Sequence, residues 1–120
     1  MNRTPKRENT LVIKKSEENG VIVLAPEGEM NLNTIPRLRS EFDALYAKGM
    51  RKMVIDFDKV TYIDSIGLAF LIEILQRLGQ NSGSLALANM GDKIKYLFEA
   101  AKIDMMMSIY QTRNDAIASM

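Results

Sequence analysis

The chain contains no cysteine and no histidine. Without cysteine there is no disulfide framework and no thiol chemistry. Without histidine the commonest metal ligand and the commonest neutral-pH general base are both missing. An enzyme built on this chain would have to use carboxylates, lysines or hydroxyls. An excess of one charge is missing too: 16 basic residues stand against 15 acidic ones, a formal net charge of +1. Unspecific nucleic-acid binding needs a basic surface, and this balance does not supply one. No apolar run approaches the roughly 18 residues of a membrane span. The longest, Ile66–Ile72, is interrupted by Gly67 and ends at Glu73. The first ten residues, MNRTPKRENT, are basic and polar without an apolar centre, unlike a signal peptide. The expectation is a cytoplasmic protein with no membrane insertion, no direct nucleic-acid contact, no metal and no cofactor.

What is present is enough for one core. The chain has 120 residues, 47% of them hydrophobic, the usual size of a single domain that folds without a staple. Residues 1–10 read as a flexible tail and 11–120 as the domain. Leu11–Ile13 is β-type, and Asn19-Gly20 marks a hairpin turn before the apolar strand Val21–Gly28. Pro26 belongs at that strand's end or on an edge. Asn33 or Thr34 can cap a helix, Pro36 suits its first turn, and Ile35, Leu38, Phe42 and Leu45 form one face ending near Gly49. Met53–Asp58 is a third strand, with Val60–Ile63 continuing towards a second helix over Ser65–Gly79 whose core stripe is Leu68, Leu71, Leu75 and Leu78. Ser84–Ala88 is a strand, Ile94, Leu97, Phe98 and Ala101 mark a third helix, Ile109-Tyr110 is a short strand, and Asn114 or Asp115 opens a last helix. An opening hairpin followed by strand–helix alternation implies an α/β domain: a mixed, mainly parallel sheet of about five strands with about four helices.

One segment asks for a chemical explanation. In YIDSIGLAF, residues 62–70, Asp64 and Ser65 stand side by side where a strand gives way to an apolar helix. Ser65 can accept a hydrogen bond from an orphan N–H of the first helical turn, which makes the pair a cap. The same position also suits a switch. A phosphate on Ser65 would face backbone N–H groups and the positive end of the helix, so the helix would survive while the surface gained about −1.5 to −2 charges.

The flanking blocks extend the pattern. YIDSIGLAFLIEIL resembles the Asp-Ser-x-Gly-Leu signature of the STAS domain, as found in bacterial anti-sigma factor antagonists. VIVLAPEGEMN, MVIDFDKVTYIDS and SLALANMGDKIKYLFEAAKID resemble the family's other blocks in order, over roughly residues 10–118. The resemblance implies a central sheet with helices on one face. It implies an anti-sigma factor with GHKL-type serine kinase activity as partner, bound by the unphosphorylated form and released on phosphorylation, and a PP2C-type phosphatase that restores binding. Carried over by motif, Ser65 is the phosphoacceptor, and Asn31, Asp64, Ser65, Ile66, Gly67, Leu68 and Phe70 form the partner-binding set. Asn31 stands where the motif commonly has Asp, Ile66 where a second small polar residue is frequent, and Ala69 where glycine is frequent. The alternative within the same fold is a constitutive adaptor subunit of a stress-signalling complex or a lipid ABC transporter.

Other features have plainer readings. Ile66, Phe70 and Ile74 repeat every four residues, either buried or as a partner patch. Met105-Met106-Met107 reads as core or strand packing first and as an interface second. Asp56, Asp58 and Asp64 invite a metal or phospho-aspartate reading, with no supporting lysine arrangement. A serine enzyme would need a base near Ser65, and no histidine exists to serve. The expectation is therefore a binding module and not an enzyme.

Overall fold

In the computed structural model residues 11–120 are described, so the tail expected over residues 1–10 lies outside them. Strands β1 (Val12–Glu18) and β2 (Val21–Met30) pair antiparallel, from Val12↔Glu27 to Glu18↔Val21. Their turn is Asn19-Gly20, with φ of 54° and 79°. Positive φ at both central residues is what a two-residue hairpin requires, and the Asn-Gly dipeptide supplies it at little cost.

Helix α1 (Ile35–Ala47) buries Ile35, Leu38, Phe42 and Leu45, the face its spacing predicts. The chain leaves it through Gly49, at φ 97°. Strand β3 (Lys52–Asp56), strand β4 (Val60–Ile63), helix α2 (Ser65–Gly79), strand β5 (Ser84–Ala88) and helix α3 (Asp92–Ala100) follow. A single 3-10 turn (Asp104–Met106), strand β6 (Ser108–Tyr110) and helix α4 (Arg113–Ala118) complete the domain. The sheet order is β1-β2-β3-β5-β6, with β4 added beside the far end of β2. Among the described residues all pairings except β1–β2 are parallel.

Among the described residues six strands form where about five were expected, because Val60–Ile63 is a strand in its own right. The Val60 N–H bonds back to the Phe57 carbonyl, and the chain then pairs with Gly28–Met30 instead of extending β3. Strand β2 therefore changes partners along its length: Ile22–Leu24 lie beside β3, Gly28–Met30 beside β4. Pro26 falls between the two pairings, inside the strand and not at its end. A residue without an N–H is tolerated there because no parallel ladder asks for one.

Period-two alternation separates two cores. Leu24, Ile55 and Leu87, in register across β2, β3 and β5, face the cluster that holds Leu38, Phe42, Phe70, Ile74 and Phe98 from α1, α2 and α3. Their neighbours Val23, Val54 and Ala86 face the other way, against Ala116 and Ile117 of α4. Helices therefore cover both faces, three on one and the short α4 on the other, which corrects the one-face expectation. The larger core is locked by edge-on rings, Phe42 to Phe70 at 6.3 Å and Phe57 to Phe98 at 5.9 Å. Each fully buried side chain of this size contributes about 1.5–3 kcal/mol. The half-exposed ion pairs between α1 and α2, Arg39–Glu73 and Arg77–Asp43, belong to a class worth about 0–1 kcal/mol. Packing holds α2 in place; the ion pairs adjust it.

Candidate functional site

The loop after β2 and the junction after β4 meet at one end of the sheet. The Asp64 N–H donates to the Met30 carbonyl at 3.0 Å, joining the last residue of β2 to the residue before α2. The loop is stiffened from within. Asn31 Oδ1 accepts from the N–H groups of Asn33 (2.9 Å) and Thr34 (3.1 Å), while its Nδ2 donates to Glu29 Oε1 (3.0 Å). The Thr34 hydroxyl donates to the Glu29 carbonyl (2.7 Å) and accepts from the Asn31 N–H (2.9 Å). Asparagine accepts the same two N–H bonds a carboxylate would. The amide in place of the motif's acid thus preserves the loop and adds a donor towards Glu29.

Asp64, not Ser65, caps α2. Its backbone is extended (φ −99°, ψ −176°), and Oδ1 accepts from the Gly67 N–H at 2.9 Å. Oδ2 accepts from the Leu32 N–H at 3.0 Å. One carboxylate therefore fastens the helix start and the β2–α1 loop together. Ser65 is already the first helical residue, so its side chain points past the orphan donors that a capping residue would meet. It is exposed, and among the described residues no hydrogen bond engages its hydroxyl.

The surroundings of Ser65 divide sharply by burial. Ile66 is 42% exposed and Leu32 is 65% exposed. With Ile35, Pro36, Arg39, Ser40 and Asp43 they line a groove of about 480 Å³ between the starts of α1 and α2. Phe70 is only 2% exposed and Gly67 is buried, so both support the site from below and offer a partner no surface. Leu68 is half-buried against the main core. The every-fourth-residue stripe therefore breaks: Phe70 and Ile74 are core, and only Ile66 stays outside. The two expected stripes merge into one broad buried face of Phe70, Leu71, Ile74 and Leu78, with Leu68 and Leu75 at its margins. Leu32, Pro36, Arg39 and Ser40 line the groove, and spacing alone does not find them. The one available signal is Leu32, an apolar residue inside the polar run Asn31–Thr34.

Electrostatics reinforce the wall of the groove. Arg39 grips the Glu73 carboxylate with both guanidinium arms, one of them at 2.9 Å, and stacks over the Phe70 ring at 4.7 Å. That hydrogen bond holds the Glu73 carboxyl below the usual carboxylate range, against the opposite push of burial, with the Arg39 and Arg77 charges adding to it.

The three aspartates singled out by sequence do not converge. Asp64 faces the start of α2. Asp56 is buried at the end of β3, where Oδ1 accepts from Asn89 Nδ2 (3.0 Å) and the Asp58 N–H (2.9 Å) and Oδ2 accepts from Arg113 Nε (2.9 Å). Burial pushes the Asp56 carboxyl up, but the bonds from Asn89, Asp58 and Arg113 together outweigh it and hold the group below its ordinary value. A carboxylate with a depressed folded-state pKa stabilises above the unfolded value, near about 4, and loses that contribution as pH falls through the folded value. Thermal melts taken from pH 6 downward should therefore fall more steeply below about pH 4 in the native chain than in Asp56→Asn. Parallel curves would show that Asp56 carries no linked proton.

The Met105–Met107 run is not uniformly core: only Met107 is buried, while Met105 and Met106 protrude from the 3-10 turn. Among the described residues no helix is long and apolar enough to cross a membrane.

The family model of the STAS domain matches residues 12–116. The chain belongs to the STAS domain family. This STAS domain is 29% identical to the anti-sigma-B factor antagonist of Staphylococcus aureus over 82 residues, 68% of this chain and 76% of that protein. An anti-sigma factor antagonist from Mycobacterium paratuberculosis shares the fold with a TM-score of 0.84 at 23% identity, covering 92% of this chain and 94% of that one. The Bacillus cell fate determinant SpoIIAA in its phosphorylated form matches with a TM-score of 0.70 at 16% identity, covering 90% and 98%. At these identities the solved structures establish the common STAS architecture.

Proposed function

We propose that this STAS domain is an anti-sigma factor antagonist whose partner binding is switched by phosphorylation of Ser65. One observation carries the reading: Asp64 caps α2, which leaves the Ser65 hydroxyl uncommitted to the fold. Asp64 holds the helix start, so the exposed Ser65 hydroxyl is available for modification without loss of the cap. The names of the Staphylococcus and Mycobacterium relatives support the class, and the phosphorylated form of SpoIIAA is a precedent for such a modification on this fold.

In the unmodified state the groove beside Ser65, edged by Leu32 and Ile66, offers an apolar contact to an anti-sigma factor that is also a serine kinase of the GHKL type. The kinase transfers the γ-phosphoryl group of ATP to Ser65 Oγ: the Oγ–P bond forms as the bond from phosphorus to the bridging oxygen breaks, ADP departs, and the hydroxyl proton passes to a base of the kinase. The product carries about −1.5 to −2 charges in the middle of the contact, next to the Asp64 carboxylate. The positive end of α2 stabilises that charge on the free protein, whereas docking would strip its water. The partner is released, and a PP2C-type phosphatase hydrolyses the ester to restore binding. The domain acts as a ligand and a substrate, with no catalytic role of its own.

The test is intact mass and peptide mapping of the protein isolated from its own organism, grown with and without stress. Phosphate on Ser65, with occupancy that changes between conditions, is the expected result. Ser65 found bare in every condition with phosphatases blocked would replace the switch with a constitutive adaptor.

A further inference from the structure

We infer that Met105 and Met106 form a methionine sulfoxidation site, separate from the Ser65 surface and independent of the reading proposed for it. The chain has nine methionines and no cysteine, so thioether sulfur is its only sulfur open to oxidation. Burial sorts these sulfurs into distinct groups. Met30 and Met53 are fully enclosed in the main core, and Met107 is buried beside them. Met50, Met90 and Met120 are half-buried. Met105 is 90% exposed and Met106 is 47% exposed, side by side on the turn between α3 and β6.

Geometry lets the reaction occur on the folded protein. The turn is held by its backbone, Met106 N–H to the Ile103 carbonyl (3.1 Å) and Met107 N–H to the Asp104 carbonyl (3.4 Å), and by the buried side chains of Ile103 and Met107. Neither exposed sulfur contributes to those anchors. The oxidant is hydrogen peroxide. A thioether lone pair attacks one peroxide oxygen and an S–O bond forms as the O–O bond breaks. The hydroxyl proton passes to the departing oxygen, which leaves as water. Sulfur loses two electrons and the peroxide gains them. An apolar protrusion thereby becomes polar and chiral, and methionine sulfoxide reductases reverse the change. The turn lies where the parallel strand β6 begins, whereas Ser65 follows the end where β2 and β4 finish. The oxidised surface is therefore remote from the proposed switch.

The experiment treats the full chain with limiting hydrogen peroxide and follows oxygen uptake per methionine by peptide mass spectrometry. The Met1 peptide, outside the described residues, is read separately. Met105 and then Met106 should each gain one oxygen at least about tenfold faster than Met30, Met53 and Met107, whose sulfurs need an opening of the fold. The melting temperature should hold, and a mixture of both sulfoxide reductases should remove the oxygens from the folded protein. The Met105→Leu, Met106→Leu double variant should lose the fast uptake while keeping its melt. Even uptake across the methionines, earliest uptake at a buried one, or fast uptake surviving in the double variant would each overturn the inference.

Discussion

Replacing Gly67 with alanine is expected to destabilise the domain, although it places a better helix former in α2. In an unconstrained helix interior the exchange favours folding by about 1 kcal/mol. Here a Cβ on residue 67 would lie 2.8 Å from the Met30 backbone carbonyl and 2.6 Å from Ile63 Cγ1. Ile63 is a buried side chain with little room to turn, and the Met30 oxygen is fixed by the bond it accepts from the Asp64 N–H. Overpacking of this kind costs about 1–3 kcal/mol, which exceeds the gain in propensity. The start of α2 would be pushed off the end of β2, and the Asp64 bridge to Leu32 would move with it. Urea unfolding should show a lower midpoint for Gly67→Ala, and amide spectra should show Leu32 among the residues displaced. A midpoint equal to or above that of the native chain would mean that the junction gives way freely.

The second large effect concerns affinity and leaves stability alone. Phosphorylated Ser65 should bind the proposed anti-sigma partner at least about a hundredfold more weakly than the bare form, since burying an uncompensated charge costs on the order of 3 kcal/mol or more. Ser65→Asp, with a single charge on a shorter arm, should show a smaller loss in the same direction. Ser65→Ala should keep both partner affinity and stability, the latter within about 0.5 kcal/mol, because its hydroxyl supports nothing in the fold. Asp64→Ala should lose about 1 kcal/mol, as expected where a capping side chain is removed. Calorimetric titration and thermal melts on these four forms and the bare native chain separate the two roles. A stability loss in Ser65→Ala as large as that in Asp64→Ala would contradict the division of labour. Undiminished affinity in the phosphorylated form would remove the electrostatic basis of the switch.

Features written in local patterns are legible in the order of the amino acids. The Asn19-Gly20 turn, the buried face of α1 and the extent of α2 as far as Gly79 all follow from spacing and turn chemistry within about 15 residues. Features that depend on distant pairing are not legible in this way. Strand β4 becomes a strand because Val60–Ile63 meets Gly28–Met30, about 30 residues earlier. The Asp56 cluster joins residues 33 and 57 positions away. At the site, the Asp-Ser pair is visible in the sequence but its internal division is not. A shift of one residue in the helix start decides which side chain caps, and boundaries are the least certain part of any pattern reading. Leu32 is hidden for a related reason: the pairing of β2 with β4 and the bond from the Leu32 N–H to Asp64, both between residues over 30 positions apart, bring it beside Ile66.

The lone helix on the second face has a consequence for biosynthesis. Val23, Val54 and Ala86 are in place once β5 has joined the sheet, but Ala116 and Ile117, which cover them, leave the ribosome some 30 residues later. In that interval the growing polypeptide presents a flat, uncharged stripe of valine and alanine, the kind of surface that sticks to other nascent chains. Those side chains are small, so the vulnerable area is modest, and a helix of only six residues is long enough to seal it.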